Sequence, residues 1–425
     1  MLSAQDNELM CRVGPETPAG QWLRRFWMPM LLSSQLPRPD CDPVEVRILG
    51  EDLVAFRATD GRVGLITALC PHRQAPLFFG RNEENGLRCI YHGWKFDVDG
   101  ECVDMPSEPT ESVFKDKVKP LTYPAREWAG IIWAYMGPRP LMPDLPQIEF
   151  ARVPDQQRYV TKYRHNGNWI QAMEGDADSS HIGFLHKDLQ SLADPNSALV
   201  QSRYASLDRA PKWIIQPTSY GMQIAARRNA EADSYYWRIN QWILPFYTFI
   251  AGPLDQKRAH CHIWVPVDDE WTDTWDVIWS PSEALNEQEK FAMTGGPTPH
   301  IASLDPATGL LGANAANHFN IDREVQRTRT FTGIPGVREQ DAAVTTGMGA
   351  IVDRTKEHLG TSDMAIIAMR RILLKGIKEL MNGTEPHAAS HPEEMRVRGW
   401  SYVLPRREDF ANDPEAQRLS TTLVP

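Results

Sequence analysis

Two cysteines and two histidines stand close together in CPHRQAPLFFGRNEENGLRCIYHGW, Cys70–Trp94, paired as Cys-x-His (Cys70, His72) and Cys-x-x-His (Cys89, His92). Thiolates and imidazoles together suit zinc, copper and iron–sulfur centres. A structural zinc site can use this donor set, but zinc fingers pair Cys with Cys and His with His. A [2Fe–2S] cluster with one iron on two thiolates and the other on two imidazoles needs the interleaved order, because each loop then gives one ligand to each iron. Imidazole in place of thiolate raises the potential of such a cluster. It would therefore accept an electron from a reductase of lower potential. The bland reading is a β domain that buries its cysteines and holds no metal.

A cluster of this kind only moves electrons, so the chain must send them somewhere. NWIQAMEGDADSSHIGFLH, Asn168–His186, carries Asp178, His181 and His186. Histidines five apart lie about 140° apart around an ideal helix of 3.6 residues per turn. For both to reach one metal the helix must break or bulge between them, and Gly183 is the expected weak point. Two histidines, one carboxylate and open positions describe a non-haem Fe(II) oxygenase site. Asp178 lies three residues before His181, where it can orient that imidazole. Spacing alone leaves the remaining carboxylate open among Asp322, Glu339, Asp341 and Asp353.

The first stretch, with its continuation YHGWKFD, resembles the Rieske cluster motif. Asp-x-x-His-x4-His resembles the mononuclear-iron motif of Rieske non-haem iron oxygenases. With CRVGPETPAGQWLRRFWMP, ECVDMPSEP and EGDADSSHIGFLH added, the resemblance covers nearly the whole chain. It is closest to the oxygenase (alpha) components of the phthalate dioxygenase group, which includes 5,5'-dehydrodivanillate O-demethylase. The resemblance implies Cys70 and Cys89 on the inner iron of a Rieske [2Fe–2S] cluster, with His72 and His92 on the outer one. It implies a single Fe(2+) held by His181, His186 and, from GIPGVREQD, Asp341. It makes Asp178 an electron-transfer bridge from His181 to His92 of a neighbouring subunit. That arrangement requires a closed ring, most simply a homotrimer.

The same resemblance implies a multicomponent enzyme that uses O2 and NAD(P)H to oxidise an aromatic carboxylate. Electrons would come from a separate NAD(P)H-dependent reductase of the FMN/[2Fe–2S] type or from a ferredoxin. Overall likeness and length lean slightly toward oxidative O-demethylation of a lignin-derived methoxylated acid. Phthalate-type ring cis-dihydroxylation is the alternative. A non-catalytic Rieske electron carrier is more remote, since a carrier has no use for His181 and His186. An anionic substrate calls for a buried guanidinium that can hold a carboxylate bidentately. Arg238 in YYWRINQW, with Tyr236, Asn240 and Trp242 on its face, is the candidate, with Arg228 and Arg209 behind it. His260 and His262 alternate on an expected strand and read as structural. DRTKEHLG, Asp353–Gly360, resembles a helix stretch of the family and reads as architecture.

The elements that must position these groups are legible in outline. Short strands run from about Val44 to Trp133, with hairpin signals at Asp60-Gly61 and Asp99-Gly100. GPRPLMPDLP, with Pro138, Pro140, Pro143 and Pro146, breaks the pattern. The expected domains are therefore 1–150, a Rieske domain with an N-terminal extension, and 151–425, the catalytic domain. Strands fill Trp213–Pro281, and a helix runs from Thr361, Ser362 or Asp363 as N-cap to Gly383 as stop. The class is α+β, an all-β domain followed by a curved antiparallel sheet with flanking helices, which the resemblance makes a helix-grip domain. A net charge of -10 argues against nucleic acid as partner. Six scattered cysteines do not form a disulfide framework. MLSAQDNELM lacks the features of a signal peptide, and no apolar run reaches spanning length, so no membrane partner and a cytoplasmic location are expected.

Overall fold

Val44–Ile48, Glu51–Arg57 and Val63–Thr67 form an antiparallel sheet, and Gly61 takes φ +88° in the turn that Asp60-Gly61 marks. The computed structural model describes residues 2–189, 200–295, 299–305, 308–408 and 410–421. Arg81–Glu83, Gly86–Arg88, Lys95–Phe96 and Cys102–Asp104 make a second, four-stranded sheet. Its last turn needs Gly100 twice over. The residue sits at φ +80°, and a Cβ there would meet Thr122 Cγ2 at 2.5 Å. Trp27–Leu32, Ile131–Tyr135 and Ala125–Trp128 complete the unit. Its core gathers Val54, Phe56, Ile66, Leu87 and Phe96 around Cys70 and Cys89.

The chain divides into Val13–Pro143 and a second unit of Met1–Arg12 with Asp144–Pro425. The break thus precedes the expected position near 150, because Glu149 is buried in the second unit. Trp279 Nε1 and Arg398 Nε donate to its Oε2 at 3.0 and 2.8 Å. The first twelve residues also side with the second unit rather than the first. Helix Ala4–Cys11 is tied there through Asn7, which donates to Val352 O and accepts from Arg354 Nη1, both at 3.0 Å.

The second unit is built on an eight-stranded antiparallel sheet. Its order is Arg158–Asn166, Trp271–Trp279, Ala259–Pro266, Tyr247–Ile250, Ser234–Ile243, Gly221–Asn229 and Lys212–Pro217. Trp400–Pro405 pairs with the first half of Ser234–Ile243, and Tyr247–Ile250 with its last residues. That strand is buried on both faces, and its side chains alternate accordingly. Trp237 and Ile239 pack with Trp400, Phe410 and Leu419. On the other face Asn240 donates to Asp176 O at 3.0 Å and Trp242 Nε1 to Met173 Sδ at 3.2 Å, gripping helix Trp169–Ala177.

Helix Met364–Met381 ends before Gly383 at φ +85°. A 3-10 turn, Thr361–Asp363, leads into it, and none of those three residues caps it with a side chain. The Asp363 carboxylate instead accepts from Gly360 N at 2.6 Å. DRTKEHLG holds a 3-10 turn, Arg354–Lys356, rather than a helix, with Asp353 Oδ1 capping it by accepting from Thr355 N at 3.1 Å. Among the described residues no helix is long and apolar enough to cross a membrane.

Candidate functional site

The two loops that carry Cys70 and Cys89 repeat one backbone device. Cys70 N donates to Ala75 O at 2.8 Å and Gln74 N to Cys70 O at 2.9 Å; Cys89 N donates to Trp94 O at 2.8 Å and Gly93 N to Cys89 O at 3.0 Å. In each loop the residue four after the cysteine takes positive φ, Gln74 at 58° and Gly93 at 77°. The cysteines are 1% and 2% exposed and unbridged. Burial pushes the Cys70 thiol up to about 11, so it ionises only if a cation takes the place of the proton. His72 and His92 lie further out with ring centroids 4.5 Å apart, and His72 stacks on Trp94 at 4.2 Å. His92 Nδ1 is buried without a hydrogen-bond partner. Among the described residues, no three of these four donors gather within 4.8 Å, as they would around one ion. Buried sulfurs below and imidazoles above fit a two-iron cluster.

Helix Trp169–Ala177 ends at Asp178, three residues before His181, and not at Gly183 as expected. The cause is local: Asp178 Oδ1 accepts from Ser180 N at 2.6 Å, drawing the chain out of the helix before the 3-10 turn His181–Gly183. His181 and His186 then converge, Nε2 to Nε2, at 3.2 Å. Asp341 Oδ1, from helix Val337–Gly347, lies 3.2 Å from His186 Nε2. His186 Nδ1 meets Gln340 Oε1 at 2.7 Å, which favours the tautomer that leaves Nε2 as a lone pair. His181 Nδ1 faces Asp178 Oδ2 at 3.6 Å, an ion-pair contact beyond hydrogen-bond length. Three electron-rich atoms thus face one another at close range, and these donors fit a single divalent iron.

The electrostatics agree with this. Burial acts to raise the Asp341 carboxyl, but His186 and then Arg338 outweigh it and hold it well below the usual carboxylate range. Burial lowers His181, and Asp178 more than offsets it, leaving the imidazole raised. The two helices are tied at a fixed spacing. Gln171 Nε2 donates to Thr345 O at 2.8 Å and to Gly349 O at 2.7 Å. The competing carboxylates are otherwise engaged: Asp322 caps helix Arg323–Thr328, Asp353 caps the turn Arg354–Lys356, and Glu339 accepts from Ala302 N and Ser303 N.

A cavity of about 340 Å³ opens over His181, His186 and Asp341. Arg238 forms part of its wall. It is 9% exposed, its Nε has no partner, and burial pushes its pKa down. Arg228 is spent on Ser179 O at 2.6 Å, and Arg209 is exposed over the Phe184 ring. His260 and His262 also line the cavity, contrary to the structural reading, and meet Asp276 and His300 there. Asp276, His300, Arg338 and Gln340 are the site residues that sequence reasoning missed. Arg338 and Gln340 precede Asp341 in VREQD, and Asp276 is a carboxylate followed by the apolar run Val277–Trp279 in the strand WTDTWDVIW. His300 carries no such signal.

Residues 26–120 match the Rieske [2Fe-2S] domain, and residues 134–420 match the family described as LigXa C-terminal domain like. The chain is 36% identical to the 3-chlorobenzoate-3,4-dioxygenase oxygenase subunit of Comamonas testosteroni, over 96% of this chain and 97% of that one. It is 39% identical to the phthalate 4,5-dioxygenase oxygenase subunit of Pseudomonas putida, over 90% and 88%. It is 31% identical to the 5,5'-dehydrodivanillate O-demethylase oxygenase subunit of a Sphingobium, over 91% and 83%. The chain therefore belongs to the Rieske oxygenases with a LigXa-type C-terminal domain, as an oxygenase component with a [2Fe–2S] cluster and a mononuclear iron site.

Proposed function

We propose that the protein is the terminal oxygenase of a system that adds O2 to the ring of an aromatic carboxylic acid. A separate NAD(P)H-dependent reductase or ferredoxin would supply the electrons. The carrying observation is Arg238, a buried guanidinium that makes no hydrogen bond or ion pair among the described residues and lies in the wall of the cavity that holds His181, His186 and Asp341. An unpaired buried charge is costly, so the wall is made for an anion. Cys70, His72, Cys89 and His92 hold the cluster, and His181, His186 and Asp341 hold the iron. When bound, the cluster supplies single electrons and the iron a place for O2. Arg238 grips the carboxylate as a fork and so sets which ring edge faces the triad. Asp178 faces His181 Nδ1 and bridges to His92 of a neighbouring subunit in a homotrimer.

Identity to the two dioxygenase subunits exceeds that to the O-demethylase subunit. This favours ring cis-dihydroxylation over the O-demethylation toward which the sequence leans. The balanced reaction consumes one arene, one O2, one NAD(P)H and one proton, and yields one cis-diol and NAD(P)+. The test supplies the holoenzyme with a surrogate reductase, NADH and a panel of phthalates, chlorobenzoates and methoxylated aromatic acids. One diol per O2 without formaldehyde is expected. Formaldehyde from a methoxylated acid assigns demethylation instead. No coupled O2 consumption with any aromatic acid refutes the proposal.

A further inference from the structure

His260, His262, Asp276 and His300 have the donors of a second metal site, with ligand atoms within 4.8 Å of one another. His262 Nε2 faces His260 Nε2 at 3.1 Å and Asp276 Oδ1 at 3.3 Å. The corresponding spacings in the iron triad are both 3.2 Å. The cross-strand register explains the convergence, since His262 stands directly opposite Asp276. His262 Nδ1 meets both oxygens of Asp176 at 2.9 Å, so its Nε2 is left as an acceptor.

A guanidinium distinguishes this cluster from the triad. Arg338 is 2% exposed. Its Nη2 donates to His262 Nε2 and, at 2.6 Å, to Asp276 Oδ1, while its Nε donates to Asp276 Oδ2 at 3.1 Å. Two parallel N–H···O bonds fix a guanidinium in plane and direction. The free arm then has one target: Nη1 donates to Asp341 Oδ2 at 3.2 Å. Arg338 and Asp341 are three apart on helix Val337–Gly347, on the same face. Asp341 is divided between its oxygens, Oδ2 toward Arg338 and Oδ1 toward His186.

We infer that the second cluster is a cation site whose cation is Arg338, and that it anchors this guanidinium so that Arg338 holds Asp341 for the mononuclear iron. The inference rests on the proposed function, because it concerns the same triad. Arg338 is a positioning residue that acts through Asp341. Lysine cannot replace it, because a point charge has no fork with which to hold Asp276 and Asp341 together. His300 is peripheral: its Nε2 is 3.5 Å from Asp276 Oδ2 and has no hydrogen-bond partner.

The test uses the full-length protein with its cluster in place. Total metal is measured in the untreated protein. The mononuclear iron is then removed with a mild chelator, and Fe(II) is titrated back without oxygen into wild type, Asp276→Asn and Arg338→Lys. The expected result is three irons per wild-type chain and no other metal. Both variants should bind Fe(II) about 10- to 100-fold more weakly, with cluster absorption unchanged and the iron-free protein still unfolding cooperatively, though at lower stability because a buried ion pair is broken. If Arg338→Lys does not fold, the isosteric Asp276→Asn carries the test. A fourth metal that His300→Ala removes would make the cluster a metal site in its own right and overturn the inference. Wild-type Fe(II) affinity in the folded variants also overturns it, and leaves the proposed function standing. A wild-type chain that takes up no Fe(II) at the triad overturns both.

Discussion

Replacing Arg238 with methionine should make the resting protein more stable and its substrate binding far weaker. Arg238 is 9% exposed, its Nε has no partner, and no acid lies within ion-pair distance among the described residues. Burial is the main influence on its charge, and Tyr236, Asp176 and Asp178 only partly offset it. Exchanging a buried ion for an apolar side chain of similar volume commonly stabilises by about 1–4 kcal/mol. A gain of about 2 kcal/mol raises the melting temperature of a unit this large by roughly 4 °C. Binding moves the other way. Two charge-assisted hydrogen bonds to a carboxylate contribute about 1.5–3 kcal/mol each, net of competition with water, so the lower end of the pair is about 3 kcal/mol. A net loss near 3 kcal/mol raises KM about 100-fold. kcat should fall as well, because Arg238 sets which ring edge faces the triad. A ligand at 100 times its Kd stabilises by about 2.7 kcal/mol. Saturating aromatic acid should therefore raise the wild-type melting temperature by more than the mutation does, and that of the variant by less than about 1 °C, since the same concentration is only about the variant's Kd. Scanning calorimetry with and without the acid, beside steady-state kinetics, measures both effects. A variant that melts lower and keeps the wild-type KM would show Arg238 to be a structural side chain, and the substrate assignment would fall with it.

Two further outcomes are expected. Asp178→Asn should leave the cluster reducible and both iron sites loaded, yet slow O2-coupled turnover by about 10- to 100-fold, the usual cost of losing a partner of a metal ligand; stopped-flow cluster reoxidation at the wild-type rate would contradict the bridging role. His165 is 6% exposed, and burial, with Arg338 next, pushes its imidazole down to about 4. The unfolded chain, with a pKa near 6.5, takes up a proton in the interval from about pH 6.5 to 4 that the folded chain refuses, so stability is lost as pH falls through that window, by roughly 2–3 kcal/mol at pH 4.5. Urea unfolding of wild type and His165→Asn at pH 7 and 4.5 checks this, and an equal difference between the two proteins at both pH values rules it out.

What could be read from the chain and what could not divide along a physical line. The cluster motif is local: each loop carries its cysteine and histidine within four residues, and both loops close through the same pair of backbone bonds around the cysteine. The hairpin turns are local too, since Asp-Gly states its own backbone conformation. The break in helix Trp169–Ala177 is equally local but was misplaced, because the side chain of Asp178 terminates the helix earlier than a flexible glycine would. The far wall of the cavity was out of reach for a different reason. His262 meets Asp276 only through the register of two neighbouring strands, and no periodicity within either strand states that register. Helix Ala4–Cys11 joins the second unit through a buried asparagine bonded to Arg354, more than three hundred residues away. Choosing Asp341 among four carboxylates needed a resemblance, yet its neighbours held a physical clue. An arginine three residues earlier and a glutamine one residue earlier are costly to bury, and on one short helix they are buried at little cost only if each meets a partner. Arg338 meets Asp341 and Asp276, and Gln340 meets His186. Polar residues crowding the buried face of a helix therefore point to a carboxylate that must be held still; Glu339 lies between the same two residues but is spent on the backbone amides of Ala302 and Ser303, and Asp322 and Asp353 cap a helix and a turn.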